Sequence, residues 1–381
     1  MIMPNMPSIL PAPPRPARTG RTTGTALTPR TARHSRAARL TTAGAAVALL
    51  VSGCVDGEGS AAGADGELET LTLDFATYNP LSLVMMEHGW LEEELADAGT
   101  EVEWIQSQGS NDANEKLRAG AIQVGSTAGS AALLARANGS EIHTILIENQ
   151  PEWSALVTDP ESGIDSVEDL EGSTVAATLG TDPYFFLIQA LQEAGVDPSD
   201  VDIQNLQHAD GRTALANDDV EAWSGLDPIM AGAEDEGAEL FYRNVDFNTY
   251  SVINATEDFI EDHPEVAQTV VDVYEQAREW AQENPEGTAE ILADYGSIDL
   301  DVAETVIQER SNFEVDPVPG QAQFDVLEEV GPIFIDTGDV SSQDNIDEAL
   351  ETLLHPDFAE DREATEAEDS EDAAEIVEDD Q

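Results

Sequence analysis

The chain has 381 residues, of which 79 are acidic and only 15 are basic, so its formal net charge at pH 7 is −64. A charge this negative is repelled by phosphate backbones and argues against a nucleic-acid partner. Such a charge destabilises a compact fold through self-repulsion in dilute buffer, whereas at roughly 1 M salt the screening length shrinks to about 3 Å. We therefore expect a halophilic protein whose stability falls as ionic strength falls.

The amino-terminal segment has the order of a secretory signal. Residues 1–53 contain seven of the 15 basic residues and no acidic one, and they end in a short apolar run, 43–51, followed by Ser52-Gly53-Cys54. A basic region, an apolar region too short to span a bilayer and small residues are typical of a signal peptide with its cleavage site. The end of the segment resembles a bacterial lipobox. That resemblance implies cleavage before Cys54 and a lipid on its thiol.

Two alternatives to the lipobox remain open, an ordinary signal peptide and an unrelated cysteine. Cys54 is the only cysteine, so it cannot form an internal disulfide. Residues 1–53 are thus predicted to be a lipoprotein signal peptide. Residues 54–67, rich in Gly, Ala and Ser, are predicted to be a flexible tether.

Strand-like and helix-like segments alternate from the tether to about residue 258, and the chain is then mainly helical. This alternation predicts an α/β fold with mostly parallel sheets flanked by helices. An acidic tail over 360–381 is expected to be disordered. The predicted strands lie near Leu71, Val102, Val124, Ile142, Ala155, Val175, Ile203 and Val220. The predicted helices start near Leu81, Asp112, Ala128, Val167, Tyr184, Asp210 and Ile229.

Four strand-to-helix junctions indicate a ligand site. The clearest follows the predicted strand at 174–178, where Asp182 suits a helix N-cap and Pro183 the first helical position. Such junctions meet at the carboxyl edge of a parallel sheet, where free N–H groups of the helices face a ligand. The residues that we expect to line the site are Tyr78, Asn79, Ser126, Thr127, Thr181, Asp182, Tyr184, Trp223 and Asp227.

The two acidic residues at these junctions leave two interpretations open. If Asp182 and Asp227 each cap their own helix, those helix ends are already neutralised and repel an anion. If one of them faces the cleft instead, the ligand carries an ammonium group or a ring nitrogen. The aromatic residues Tyr78, Tyr184 and Trp223 either close over the ligand or belong to the core.

Enzyme chemistry has little support in the sequence. No G-x-S-x-G, P-loop or H-E-x-x-H motif is present, and the six histidines show no metal-ligand spacing. We therefore expect no catalytic residues, no resident metal and no cofactor.

Several short motifs, in their order along the chain, make residues 71–358 similar to the aliphatic sulfonate, nitrate and taurine group of ABC-transporter substrate-binding proteins. The motifs are Gly89-Trp90-Leu91-Glu92, Gly109-Ser110-Asn111, Ala119-Gly120-Ala121-Ile122 with Gly125-Ser126, residues 165–172, Gly180-Thr181-Asp182, and Val220-Glu221-Ala222-Trp223 before Leu226-Asp227-Pro228.

The resemblance implies a two-lobed, type II periplasmic-binding-protein-like clamshell with a two-stranded hinge. Lobe one would hold 68–157 and 249–359, lobe two 158–248, and the hinge connectors would lie near 154–159 and 248–254. The implied protein is a monomer, lipid-anchored at the outer face of the cytoplasmic membrane.

In the same family the bound solute is passed to an ABC permease and its ATPase. The leading ligand is an aliphatic sulfonate such as taurine. The alternatives are nitrate, a thiamine-pyrimidine precursor, and a pyrimidine-synthesis enzyme of the same fold, whose cysteine-rich signature is missing here.

Overall fold

A computed structural model describes residues 68–362, which all lie in one compact unit. They form two five-stranded sheets. The first contains β1 (Thr70–Phe75), β2 (Glu101–Gln106), β3 (Val124–Ala128), β4 (Ile142–Asn149) and, from later in the chain, β10 (Ser251–Thr256). The second contains β5 (Ser154–Thr158), β6 (Thr174–Ala177), β7 (Asp202–Asn205), β8 (Ala222–Leu226) and β9 (Glu239–Tyr242). The strand orders are β2-β1-β3-β10-β4 and β7-β6-β8-β5-β9.

Helices flank both sheets. Those between strands are α1 (Pro80–His88), α2 (Trp90–Leu95), α3 (Ser110–Arg118), α4 (Gly129–Ala137), α5 (Asp182–Ala194), α6 (His208–Ala216) and α7 (Ile229–Asp235). Those after β10 are α8 (Glu257–Asp262), α9 (Pro264–Glu283), α10 (Pro285–Gly296), α11 (Leu300–Glu304), α12 (Gln321–Asp336), α13 (Gln343–Thr352) and α14 (Asp357–Glu360). A π-helical segment, Thr305–Arg310, follows α11.

The two-lobed α/β prediction is confirmed, but the sheets are mixed rather than mostly parallel. In the first sheet β1 runs parallel to β2 and β3, whereas β10 runs antiparallel to β3 and β4. In the second sheet β6 runs parallel to β7 and β8, whereas β5 runs antiparallel to β8 and β9. The reason is that β5 and β10 are each the first strand after the chain crosses from one sheet to the other. The crossing sets the direction of the strand, and the periodicity of the sequence does not show where the chain crosses.

The crossings define two lobes by their sheets. The first crossing occupies residues 150–153, because β4 ends in the first sheet at Asn149 and β5 begins in the second at Ser154. The boundary predicted after residue 157 falls inside β5, so the structure moves the crossing to an earlier position. The return crossing leads from β9 to β10 over residues 243–250.

The two largest apolar cores of the described residues lie between the sheets and their helices. The larger surrounds β1, α1, α9 and α10, with Leu71, Leu83 and Tyr274 fully or almost fully buried. The second joins α4 and α5 to α12, where the Phe185 and Phe334 rings lie 4.7 Å apart. Because this core takes helices from both sides of the crossings, α12 packs against both lobes.

Cys54, the predicted tether and the predicted acidic tail beyond residue 362 lie outside the described residues. The lipobox, tether and tail therefore stay predictions. Within residues 68–362, no helix combines the length and the apolar character needed to cross a membrane.

Candidate functional site

A crevice runs between the lobes at the carboxyl ends of the strands. A small apolar group closes it, in which the Tyr78 and Trp153 rings meet edge to face with centroids 6.3 Å apart. The space left in the crevice, about 10 Å³, is lined by residues that include these two rings, Asn149, Asp227 and Arg310. That volume has room for about one water molecule. A larger solute therefore requires the lobes to separate.

Asp182 does not cap its own helix. The N-cap of α5 is Thr181, and the Asp182 carboxylate points across the crevice instead. It accepts hydrogen bonds from Trp153 Nε1 at 2.9 Å, from the Thr249 amide and hydroxyl at 2.8 Å each, and from the Ser130 hydroxyl. These donors belong to the two crossings and to α4, so Asp182 ties lobe two to lobe one. Burial raises its pKa, and the four hydrogen bonds oppose that rise.

Asp227, which directly precedes the N-cap residue Pro228 of α7, bonds the first turn of that helix and forms a buried ion pair. One of its oxygens accepts from the Ala231 amide at 2.9 Å in the first turn of α7. Both oxygens lie 3.1 Å from Nη1 of Arg310, which also contacts Glu234. Burial raises the pKa of Asp227 to about 6, against the lowering effect of Arg310. Arg310 comes from the C-terminal region, so this ion pair also joins the two lobes.

At the ends of β1 and β3 the predicted site residues form a connected polar group. The Ser126 amide and hydroxyl donate to Asp74 Oδ1 at 2.8 and 3.1 Å, and the Tyr78 hydroxyl donates to the Ser126 carbonyl at 3.1 Å. Asp74 was not predicted. Burial raises its pKa to about 7, whereas Ser107, Ser126 and Lys116 lower it.

The remaining polar residues of lobe one stabilise its local structure. Asn79 caps α1, its side chain accepting from the Ser82 amide at 3.2 Å. Thr127 accepts from Asn254 Nδ2 at 2.8 Å and thereby fixes β3 against β10. Both side chains are fully buried.

Three predicted site residues of lobe two lie away from the closed crevice. The Thr181 hydroxyl donates to the Thr178 carbonyl at 2.6 Å. Tyr184 belongs to the second core near the end of α12, and burial together with Asp339 raises its pKa. Trp223 is fully buried under α6, because strand alternation turns it to the face of β8 opposite Ser224, whose hydroxyl bonds Pro183 of α5.

Four further buried polar atoms at strand-to-helix junctions were not predicted from the sequence. Asn111 Oδ1, Asn114 Oδ1, Gln207 Oε1 and His208 Nε2 are buried and have no hydrogen-bond partner among residues 68–362. They lie at the junctions from β2 to α3 and from β7 to α6. Both junctions follow the same strand-to-helix pattern as the four predicted ones.

No group of three or more His, Cys, Asp or Glu side chains that could hold a metal ion occurs in the described part of the chain.

Comparison with protein families gives a match over residues 83–288 to a family described as NMT1/THI5 like. A putative aliphatic sulfonates-binding protein of Bacillus subtilis is 26% identical over 268 residues, 69% of this chain and 80% of the relative. Its namesake in Escherichia coli is 24% identical over 71% of this chain and 86% of its own.

Solved structures share the fold. The alkanesulfonate-binding protein of Xanthomonas axonopodis pv. citri, bound to MOPS, has a TM-score of 0.67 at 20% identity and covers 74% of this chain and 98% of its own. The nitrate-binding protein of Synechocystis PCC 6803 has a TM-score of 0.61 at 13% identity, covering 76% and 87%. A desulfurization enzyme has a TM-score of 0.57 at 14% identity, covering 77% and 98%. The fold thus accommodates binding proteins as well as an enzyme.

Proposed function

Because the chain belongs to the NMT1/THI5-like family, we propose that it is the extracytoplasmic solute-binding component of an ABC importer. The observation that carries this proposal is the relation to two proteins named as putative aliphatic sulfonates-binding proteins, which extends over 80% and 86% of their lengths. The chain therefore contains most of the working part of such a protein, including both lobes. An aliphatic sulfonate such as taurine is the proposed ligand.

The proposed ligand site is the crevice between the lobes, because ligand sites of such folds lie at domain interfaces and at the carboxyl ends of strands. Tyr78, Trp153 and Asp227 already line its closed form. Ser126 and Thr127, which lie in the second half of β3, are also proposed as ligand-binding residues. Opening of the lobes would expose the groups that line the crevice, such as Trp153 and Asp227, to a solute, and closure would bury it.

Nitrate binding and catalysis are weaker candidates. The nitrate-binding protein and the desulfurization enzyme share the fold at 13% and 14% identity, which supports the fold alone. A pyrimidine precursor is suggested only by the family resemblance. The two relatives named as sulfonate-binding proteins match at 26% and 24% identity over 69% and 71% of this chain.

Calorimetric titration in about 2–3 M salt, chosen to screen the acidic surface, separates these ligands. We expect saturable binding of one alkanesulfonate or aminosulfonate per chain, without turnover. Nitrate, a pyrimidine and a carboxylate of equal length serve as controls. Tight binding of nitrate or pyrimidine without sulfonate binding, or continued heat release with formation of a product, would show that the sulfonate proposal is incorrect.

Lipid anchorage through Cys54 is part of the proposed role, since it would hold the protein beside its permease at the outer membrane face. A Cys54→Ser variant is expected to appear in the medium or to remain unprocessed. A Ser60→Ala change in the predicted tether is the control and is expected to leave the protein in the membrane fraction. Cell fractionation and mass spectrometry measure where the variant is and how it is processed. Normal processing and membrane retention of Cys54→Ser would rule out the lipobox.

A further inference from the structure

We propose that Arg310 of lobe one holds the sulfonate group of the bound solute, and that Asp227 and Glu234 of lobe two occupy its guanidinium while no solute is bound. The inference rests on the proposed function and names the residue that determines specificity for an anion at that site. It also predicts that the protein takes up a proton together with the ligand.

Arg310 belongs to lobe one and stays with it when the lobes separate. It ends the π-helical segment Thr305–Arg310, whose Val306 and Ile307 are buried in the larger core. Its carbonyl accepts a hydrogen bond from the Glu152 amide of the first crossing at 2.8 Å. The backbone is therefore fixed beside the crevice, and the side chain lines the space between the lobes.

Positive charge is scarce at the crevice. Residues 68–362 include eight basic residues, and of these Arg310 is the one that lines that space. A sulfonate enclosed between the lobes loses its water, so it needs an opposite charge and hydrogen-bond donors. A planar guanidinium supplies both, because it can donate parallel bonds to two oxygens of one anion. The other seven basic residues are Lys116, Arg118, Arg136, Arg212, Arg243, Arg278 and Arg362.

Two carboxylates occupy the guanidinium in the closed crevice. Nη1 of Arg310 lies 3.1 Å from both oxygens of Asp227, and Nη2 contacts the Glu234 carboxylate. Asp227 lies just before α7 and Glu234 within it, so both acids leave with lobe two and free the guanidinium. Each acid keeps a partner of its own. Asp227 accepts from the Ala231 amide at 2.9 Å, and the Glu234 side chain is 41% exposed to water.

The charges around Arg310 predict the proton uptake. One guanidinium faces two carboxylates, and a sulfonate adds a third negative charge. Burial raises the pKa of Asp227 to about 6, although Arg310 lowers it. A sulfonate that binds the guanidinium weakens this lowering effect and repels the ionised carboxylate, so the pKa of Asp227 rises further. We therefore expect Asp227 to bind a proton when the ligand binds near pH 7.

Few other groups that face Asp227 carry charge. Its charged neighbours are Arg310 from the π-helical segment and Glu234 from α7. Burial raises the pKa of Tyr78 well above its ordinary value, so this residue stays neutral. The polar side chains that line the crevice beside Asp227 and Arg310 are those of Thr77, Tyr78, Asn149, Trp153 and Ser311.

Titration of the full chain with ethanesulfonate in 2–3 M salt, between pH 5 and pH 8, measures the linkage. This ligand is ionised throughout that range and has no amine, so a change in affinity reports on the protein. We expect the affinity to rise at least about fivefold as the pH falls from 8 to 6. Below pH 6 Asp227 already carries the proton without ligand, so the affinity is expected to level off.

An Asp227→Asn variant assigns the pH dependence, because burial also raises the pKa of Asp74, Glu148 and Asp182. Asparagine keeps the size of the side chain and an acceptor for the Ala231 amide, but it removes the competing charge. We expect the variant to bind ethanesulfonate at least about threefold more tightly than wild type at pH 8 and to lose most of the pH dependence. A purely structural role of Asp227 predicts weaker binding instead.

Variants of Arg310 test the anion contact itself. Arg310→Met is expected to weaken ethanesulfonate binding at least about tenfold, the usual effect of losing hydrogen bonds to a charged group. Arg310→Lys keeps the charge without the planar donors and is expected to recover part of the affinity. Arg243→Met is the matched control and is expected to leave the affinity unchanged, because Arg243 pairs with Glu152 and is 45% exposed.

The outcomes separate this inference from the proposed function. Unchanged ethanesulfonate affinity in a folded Arg310→Met overturns the assignment and leaves sulfonate binding intact. Weaker binding by Asp227→Asn with an unaltered pH dependence does the same. Absence of binding of any sulfonate by the wild-type protein overturns the proposed function itself. If Arg310→Met does not fold, Asp227→Asn decides.

Discussion

Replacing Arg310 by methionine is expected to lower the free energy of unfolding at pH 8 by about 3–5 kcal/mol, because it leaves a buried carboxylate without its partner. Arg310 and Asp227 are exposed by only 4% and 3%. The guanidinium lies 3.1 Å from both oxygens of Asp227 and also contacts Glu234. This pair connects the C-terminal region to α7 across the crevice. Its loss is therefore expected to loosen the closed arrangement of the lobes as well.

The penalty is expected to be smaller at pH 5. The folded pKa of Asp227, about 6, lies above its ordinary value of 3.8. Between pH 3.8 and pH 6, Asp227 is therefore more protonated in the folded protein than in the unfolded protein. Its contribution to stability therefore falls as the pH rises towards 6 and then levels off. Arg310 lowers that pKa, so without it the pKa is higher and the fall continues to higher pH. Urea denaturation at both pH values measures the difference.

Arg243 is the matched control, because it forms an ion pair with Glu152 while its side chain is 45% exposed. Arg243→Met is expected to cost at most about 1 kcal/mol. An Arg310→Met, Asp227→Leu double variant is expected to recover part of the lost stability, because residue 227 then carries no buried charge that lacks a partner. A loss in Arg310→Met no greater than in Arg243→Met at pH 8 would contradict a buried ion pair.

Trp223→Ala is expected to cost about 3–5 kcal/mol of unfolding free energy, the usual cost of removing a buried aromatic side chain. The ring is fully buried between β8 and α6, so closely that a Cβ at Gly211 would lie 2.6 Å from its Nε1. Trp223→Phe keeps much of this packing and is expected to cost clearly less. Where the variants fold, sulfonate affinity is expected to stay within about threefold of wild type. A tenfold loss of affinity in a folded Trp223→Phe would instead place the ring in the site.

The fold class was predictable because periodicity and helix-start chemistry are local. The pattern of Asn79-Pro80 and Asp182-Pro183 located the starts of α1 and α5, and the β-branched runs located the strands before them. The direction of β5 and β10 was not predictable, because it is set by where the chain crosses between sheets. The same pattern of short apolar strands is compatible with either direction.

The candidate site was predictable only as a set of residues at strand ends, and binding of a ligand there stays a prediction. Strand ends pointed to the crevice, and the structure brings Tyr78, Ser126 and Asp182 near it. The roles of its acids depend on distant partners, such as Thr249 for Asp182 and Arg310 for Asp227. Those partners lie 67 and 83 residues away in the sequence. No local rule for helix caps carries that information.

A distance measurement between the lobes tests most directly whether the ligand binds between them. Cys54 is the only cysteine, so a Cys54→Ser background allows spin labels at two introduced cysteines, Glu103→Cys on β2 and Ser199→Cys in lobe two, both exposed positions. Pulsed dipolar spectroscopy in 2–3 M salt, the range chosen for screening, then compares the protein with and without a saturating sulfonate. We predict that the ligand narrows the distance distribution and removes its longer component. An unchanged distribution at a concentration where calorimetry shows saturation would place the ligand outside the crevice and contradict the two-lobed capture of the solute.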